Sequence, residues 1–361
     1  MRCIKFDREE KYIGDFIALS RKIYHKKEDM QNDAELRDLL LNRHILSRYF
    51  KLHKFCIYKK EEIVGRFILS EYKDDESIYI GFFECERDGK TARFLFDQAE
   101  SFARKKGFRR IIGPVDASFW IRYRLKTNFF GKRPYTGEPY NPEYYPDLFL
   151  KNAYKIKETY TSTMYRPVSE SFREEKYIRR KKEFEKRGYR IISPSKKNWE
   201  RIVFEIYGLI SVLYQNFPVY KPIEYKDFAS YFSSFKSIIN MKMVKIAYDK
   251  DRAVGFYISL PNYHNLVCDT HQPLNIVRIL KRRAFPKEYI MLYMGVLPEH
   301  AGLGGVLVQS IIEELKKNRL PSIGALQRNG NITQFYAREL ILGRYEYALF
   351  EKEIRKEAGS R

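Results

Sequence analysis

The chain has 361 residues, 44% of them hydrophobic and 16% aromatic, enough for two packed domains and too apolar for a disordered chain. No apolar run approaches the ~18 residues of a bilayer span, and MRCIKFDREEKY lacks a signal-peptide core, so a soluble cytoplasmic protein is expected. A formal net charge of +22 suits an anionic partner (nucleic acid, an acidic carrier protein, an anionic membrane face or a polyphosphate cofactor), but a lysine-rich proteome would give the same bias with no partner.

In chain order, the strand CIKF leads into helical patterning across IGDFIALSRKIY and DAELRDLLLNRHIL. A hairpin pattern at 58–69 comes next, then the strand SIYIGFFEC, the helix TARFLFDQAESFARKKG and the strand RRIIGPV. A further helical stretch and the aromatic strand IKETYTSTMY close this half. The charged run ESFREEKYIRRKKEFEKRG reads as a linker helix, with the domain boundary near residue 170. The order then repeats. YRIIS leads into NWERIVFEIYGLISVLY and YKDFASYFSSF, a hairpin at 248–259, an insertion, EYIMLYMGV, VLVQSIIEELKKN, PSIGAL and the final strand RYEYALFEKEI.

The hairpins carry the repeat residue by residue. YKKEEIVGRFIL and YDKDRAVGFYIS share Tyr58/Tyr248, Lys60/Lys250, Val64/Val254 and Gly65/Gly255. Two copies of one α/β unit are therefore expected, as 1–170 and 171–361, each a mixed, mainly antiparallel twisted sheet flanked by helices. The four cysteines are far apart and read as buried free thiols of a reduced compartment. The run His264, Cys268, His271 has no second cluster to complete a tetrahedral zinc site, so no metal is expected.

The stretch VLPEHAGLGG places Gly302, Gly304 and Gly305 at the first turn of a helix, where each glycine costs roughly 1 kcal/mol against alanine. A strand, a glycine-rich turn and a helix form a phosphate-binding arrangement, because the first helical N–H groups lack partners and the dipole favours an anion. The turn is not a P-loop, since no Gly-Lys-Ser/Thr closes it.

GVLPEHAGLGGVLVQSIIEEL resembles the cofactor motif of the GNAT acyltransferase superfamily, a strand entering an R/Q-x-x-G-x-G/A loop, with Ala301 where Arg or Gln is usual and Val306 at the second small position. NGNITQFYAREL is similar to the family's next motif, with Asn329 seven residues before Tyr336. GFFECERD, IIGPVDASFW and GEPYNPEYYPDLFLKNAYKIKETY resemble the N-terminal half of a bacterial tandem-GNAT family that is largely uncharacterised; WIRYRLK departs from its pattern. The resemblance implies an N-acyltransferase using acetyl-coenzyme A or a longer acyl-coenzyme A, with a small-molecule or peptide amine as acceptor. Val296, Leu297, Gly302, Leu303, Gly304, Gly305 and Asn329 would bind the cofactor, and Tyr336 would protonate the leaving thiolate. Aligning the copies sets Lys90-Thr91-Ala92-Arg93 opposite the glycines, so one cofactor site is expected, in the second copy.

Candidate bases are Glu84 and Glu288, on or beside the central strands, with Glu299 at the loop mouth. Trp120, Arg122, Arg124, Glu138, Tyr140, Asn141 and Tyr144 are expected to line a substrate pocket between the copies. Three other readings stay open: an acyl-carrier-protein donor, an aminoacyl-tRNA-dependent transferase of the peptidoglycan-bridge type, and a catalytically degenerate binding module.

Overall fold

The computed structural model describes residues 1–195, 197–270, 272–330 and 336–354. Two compact units form: Met1–Thr159 with Pro218–Lys221 and the chain end from Glu346, and Tyr160–Phe217 with Pro222–Tyr345.

In the first unit β1 (Arg2–Phe6), α1 (Glu10–Ala18), α2 (Ser20–Ile23) and α3 (Asp33–Leu40) precede the hairpin of β2 (Lys51–Lys59) and β3 (Glu62–Glu71). Next come β4 (Ser77–Cys85), α4 (Gly89–Lys105) and β5 (Arg110–Gly113). The short strands β6 (Val115–Asp116), β7 (Arg122–Tyr123) and β8 (Leu125–Lys126) follow, then α5 (Tyr145–Lys151) and β9 (Lys155–Tyr165). The sheet runs β1-β2-β3-β4-β5, antiparallel except for the parallel β4/β5 pair, and Phe350–Glu353 adds antiparallel to β5. Helix α4 forms because Ala92, Leu95, Phe96, Ala99 and Ala103 recur on one face, and all five bury against this sheet.

The second unit repeats this plan. Helix α6 (Glu175–Lys186), β10 (Tyr189–Ile192), α7 (Trp199–Leu213), α8 (Tyr225–Tyr231) and α9 (Phe235–Ile238) lead to the hairpin of β11 (Val244–Asp249) and β12 (Arg252–Pro261). Helix α10 (Pro273–Ala284), β13 (Tyr289–Val296), α11 (Leu303–Asn318), β14 (Ser322–Arg328) and β15 (Ile341–Glu353) follow. Here the order is β10-β11-β12-β13-β14, with β13/β14 parallel and the Tyr160–Tyr165 part of β9 adding antiparallel to β14.

The hairpin residues play equal parts in both units. Lys60 and Lys250 turn the chain at φ 55° and 53°, and the ladder shifts register at Ile57/Tyr58 and at Ala247/Tyr248. Tyr58 donates to Asp15 on α1 at 2.6 Å, and Tyr248 donates to Glu205 on α7. A Cβ on Gly65 would meet Leu95 Cδ1 of α4 at 3.3 Å, and one on Gly255 would meet Leu307 Cδ1 of α11 at 3.5 Å. In each case glycine lets the helix lie close on the sheet.

Units and sequence halves differ at the ends of the halves as well as at Pro218–Lys221. Residues 160–170 fold with the second unit, and Glu346–Ile354 fold with the first. Part of each aromatic strand that ends a half thus pairs outside that half: Tyr160–Tyr165 of β9 with β14, and Phe350–Glu353 of β15 with β5. Their alternating patterns are alike, so the pattern does not say which sheet each one joins. All four cysteines are free; Cys56 and Cys85 are buried, Cys3 and Cys268 partly so.

Candidate active site

In the second unit β13 and β14 pair only at Tyr289–Met291 with Ser322–Gly324. Beyond that the two strands diverge, and a cleft of about 1390 Å³ opens, with Met294, Gly295 and Val296 on one wall and Ala325, Leu326 and Gln327 on the other. It ends at the glycine turn, where Ala301, Gly302 and Gly304 line it.

Each glycine answers a separate demand. Gly302, at φ 97°, is the left-handed residue from which α11 starts, and it offers no side chain to cap the helix. A Cβ on Gly304 would lie 2.5 Å from the Tyr336 hydroxyl and 3.1 Å from Met294 Cε. A Cβ on Gly305 would lie 3.1 Å from Tyr177 Cδ1 on α6. Gly302 is thus needed for its φ and Gly304 and Gly305 for close approach, part of which serves the protein's own side chains.

Arg180 of α6 lies over the same turn. Its Nε is 3.4 Å from the Cβ position of Gly302, and its Nη1 is 3.5 Å from that of Gly305. Among the described residues it has no hydrogen-bond or ion-pair partner. A guanidinium over the positive end of a helix is unfavourable by itself and becomes favourable once an anion lies between them. Lys176, Arg328 and Arg338 also line the cleft, against Glu174 and Glu339, so cations predominate.

The first unit has the same splay, filled from within. β4 and β5 pair at Ser77–Tyr79 with Arg110–Ile112, and past that point the backbone at Val115 and Asp116 occupies the gap. A Cβ on Gly81 would be 1.8 Å from the Val115 carbonyl oxygen, and Asp116 accepts the Phe82 N–H. Helix α4 is also capped internally: Asp88 accepts from Lys90 N at 3.0 Å and Thr91 Oγ1 at 2.8 Å. These bonds hold the Asp88 carboxyl below its ordinary value. What remains is a cavity of about 30 Å³, the scale of a single water.

No protein-family model matches the sequence, and no curated protein matches it. Solved structures do. A tandem GNAT protein from the clavulanic acid biosynthesis pathway aligns over 99% of this chain and 99% of its own, at 10% identity and a TM-score of 0.51. The glucosamine N-acetyltransferase region of a fungal multi-domain β-N-acetylglucosaminidase aligns over 97% of this chain and 38% of its own, at 13% identity and a TM-score of 0.54. A probable N-acyltransferase from Enterococcus faecalis aligns over 98% of this chain and 73% of its own, at 8% identity and a TM-score of 0.51. The chain has the tandem GNAT fold.

Within the second GNAT unit, Val296, Leu297, Gly302, Gly304 and Tyr336 line the cleft. Leu303 is fully buried beneath the turn, and Gly305 faces α6. Asn329 is exposed, takes a hydrogen bond from Thr161 at 3.2 Å and is not part of the lining. The rest of its motif, 331–335, lies outside the described residues, as does His271 of the His/Cys run. Glu288 precedes β13 at the end opposite the turn and accepts from Asn262 Nδ2 at 2.6 Å, so it does not reach the cleft. Glu299 faces Arg252 at 3.6 Å and is also absent from the lining. Arg180 and Tyr177 escaped the sequence reading because they sit inside a run that looks like a solvated linker.

In the first GNAT unit, Glu84, Arg122, Arg124, Tyr140 and Asn141 come together around the small cavity. Glu84 accepts from Tyr145 at 2.6 Å and Tyr24 at 3.3 Å, and Arg122 pairs with Asp116 at 2.6 Å. The Arg124 guanidinium lies 3.7 Å from the Tyr123 ring centroid. The other three are elsewhere. Trp120 donates to the Lys221 carbonyl at 2.9 Å, Glu138 is buried against Lys126 and Tyr347 at 2.7 Å each, and Tyr144 donates to the Cys85 carbonyl at 2.8 Å.

Burial raises the Glu84 carboxyl above its ordinary value despite the nearby Arg66. A carboxyl whose pKa is raised by folding holds its proton longer in the folded state, so stability falls as pH rises through the window above the ordinary value. Glu84→Gln should shallow that decline in a series of urea melts; Glu138, shifted the same way by burial, supplies what remains.

Proposed function

We propose that the chain is an N-acyltransferase that takes an acetyl or longer acyl group from coenzyme A and delivers it to an amine. One observation carries the reading: of two equivalent splays, the β13/β14 one is open and leads to an uncapped helix N-terminus under an unpaired arginine. The donor set fits a diphosphate, with backbone N–H groups of α11 on one side and Arg180 on the other. Arg180 would supply the charge that the superfamily motif carries where Ala301 stands. Arg180→Ala should weaken coenzyme A about tenfold in an equilibrium titration, with the loss shrinking as salt rises.

Bound coenzyme A would present its acyl group as a thioester. The walls formed by Met294, Val296, Ala325 and Leu326 exclude water from it. Tyr336 keeps its proton at neutral pH, since burial raises the phenol above its ordinary value and Arg180 only partly opposes this. That proton is available to a departing thiolate at the hydroxyl beside Gly304. Tyr336→Phe keeps the ring on Tyr177 and should lower kcat by ~100-fold or more with coenzyme A affinity little changed. A loss under about tenfold would return Tyr336 to a packing role.

A panel of amines with acetyl-coenzyme A, read by thiol release, tests the activity. The positions of Glu84 and Glu288, away from the cleft lining, favour as second reading a module that holds acyl-coenzyme A without transferring it. Tight binding with no thiol release for any amine would support that reading.

A further inference from the structure

Helix α10, inserted between β12 and β13, has its polarity reversed. Helices that pack on a domain turn their apolar stripe inward. Here the inward residues are Asn275 and Ile279, at 7% and 6% exposure, and Arg282, which donates to the Asn262 carbonyl at 2.7 Å. Facing solvent are Leu274 (67%), Ile276 (47%), Val277 (62%) and Leu280 (55%), with Phe285 (76%) just past the helix end. These five are nearly half of the twelve large hydrophobics exposed among the described residues, and they fall within twelve consecutive positions.

Between Asp269 and Glu288 the charge has one sign. Residues 270–287 contain Arg278, Lys281, Arg282, Arg283 and Lys287 and no acidic residue. At roughly 100° per residue, Lys281 and Arg283 fall on opposite edges of the strip formed by Ile276, Val277 and Leu280. Arg283 is tied to the Ser237 carbonyl of α9 at 2.8 Å, beside Lys236. The helix is thus fixed from beneath, with an apolar strip outermost and cations along both margins.

We propose that α10 is a membrane-surface anchor that lays its apolar strip into an anionic lipid bilayer. Lipid meets both features together: acyl chains take the side chains of Ile276, Val277, Leu280 and Phe285, while Lys281, Arg283 and Lys287 sit at the level of anionic headgroups. None of these residues lines the cleft, so the proposal stands apart from the acyl-transfer reading.

Flotation of the full chain with vesicles tests it. Phosphatidylcholine vesicles containing phosphatidylglycerol should hold the protein on the order of tenfold better than phosphatidylcholine alone. Val277→Asp with Leu280→Asp should remove that binding, with the thermal midpoint near the wild-type value because both positions are exposed. Lys281→Glu with Lys287→Glu should abolish the preference for the anionic lipid. In a Phe285→Trp variant, tryptophan emission should shift to the blue on the anionic vesicles. Equal partition on both vesicle types, or binding indifferent to the Asp pair, would overturn the proposal. So would capture of an acidic carrier protein through this helix by a chain that ignores vesicles.

Discussion

Gly304→Glu is expected to abolish coenzyme A binding, with an affinity loss of at least ~100-fold, or roughly 3 kcal/mol. The new Cβ would arrive 2.5 Å from the Tyr336 hydroxyl and 3.1 Å from Met294 Cε, both at the ends of side chains that can swing away. They would swing into the cleft. The glutamate carboxylate would then sit at the α11 N-terminus, where it satisfies the helix dipole and pairs with Arg180 in place of the ligand. Because that contact offsets much of the crowding, the protein should stay folded, and a thermal scan without ligand should move by only a few degrees. Gly304→Ala separates the two causes: it adds the crowding without the charge, and its affinity should fall between wild type and the glutamate variant.

Gly81→Val should have the opposite profile, a severe loss of stability through the first unit. The atoms a Cβ would meet there are backbone: the Val115 oxygen at 1.8 Å, its carbonyl carbon at 2.3 Å and the Asp116 nitrogen at 2.7 Å. No rotamer change relieves a clash with a main chain that is also held by the Asp116 bond to Phe82 N. The substitution must therefore force β4 from the segment that fills its splay, at a cost above ~3 kcal/mol. A urea midpoint within the error of wild type would mean that the gap is not tightly filled, and with it the account of why this unit lacks a cofactor cleft would fail.

The duplicated plan was legible because local chemistry enforces it. The charged two-residue turn is a local demand, and the glycine under a helix leucine and the tyrosine reaching a helix carboxylate recur at fixed offsets from it, so Tyr58-x-Lys60 and Tyr248-x-Lys250 advertise the same hairpin. The glycine turn was equally visible, since Gly302 needs a left-handed φ and Gly304 and Gly305 need close approach. Long-range choices left no such trace. Arg180 reaches the glycine turn from a helix whose sequence is dominated by charge, although Tyr177 and Phe184 on that helix are buried. Glu84 has the position along its strand expected of a base, yet Tyr24, Tyr145 and Arg66 engage it in a buried network of its own unit. The filling of the first splay depends on how closely Val115 approaches Gly81, a distance that no spacing in GPVDASFW encodes.

The most direct test of the asymmetry is a crystal structure of the full chain soaked with coenzyme A. One ligand per chain is expected, with its diphosphate at the N-terminus of α11 beneath Arg180 and its pantetheine arm between β13 and β14. Density for the cofactor at β4 and β5, or a second unit left empty at a saturating concentration, would contradict it.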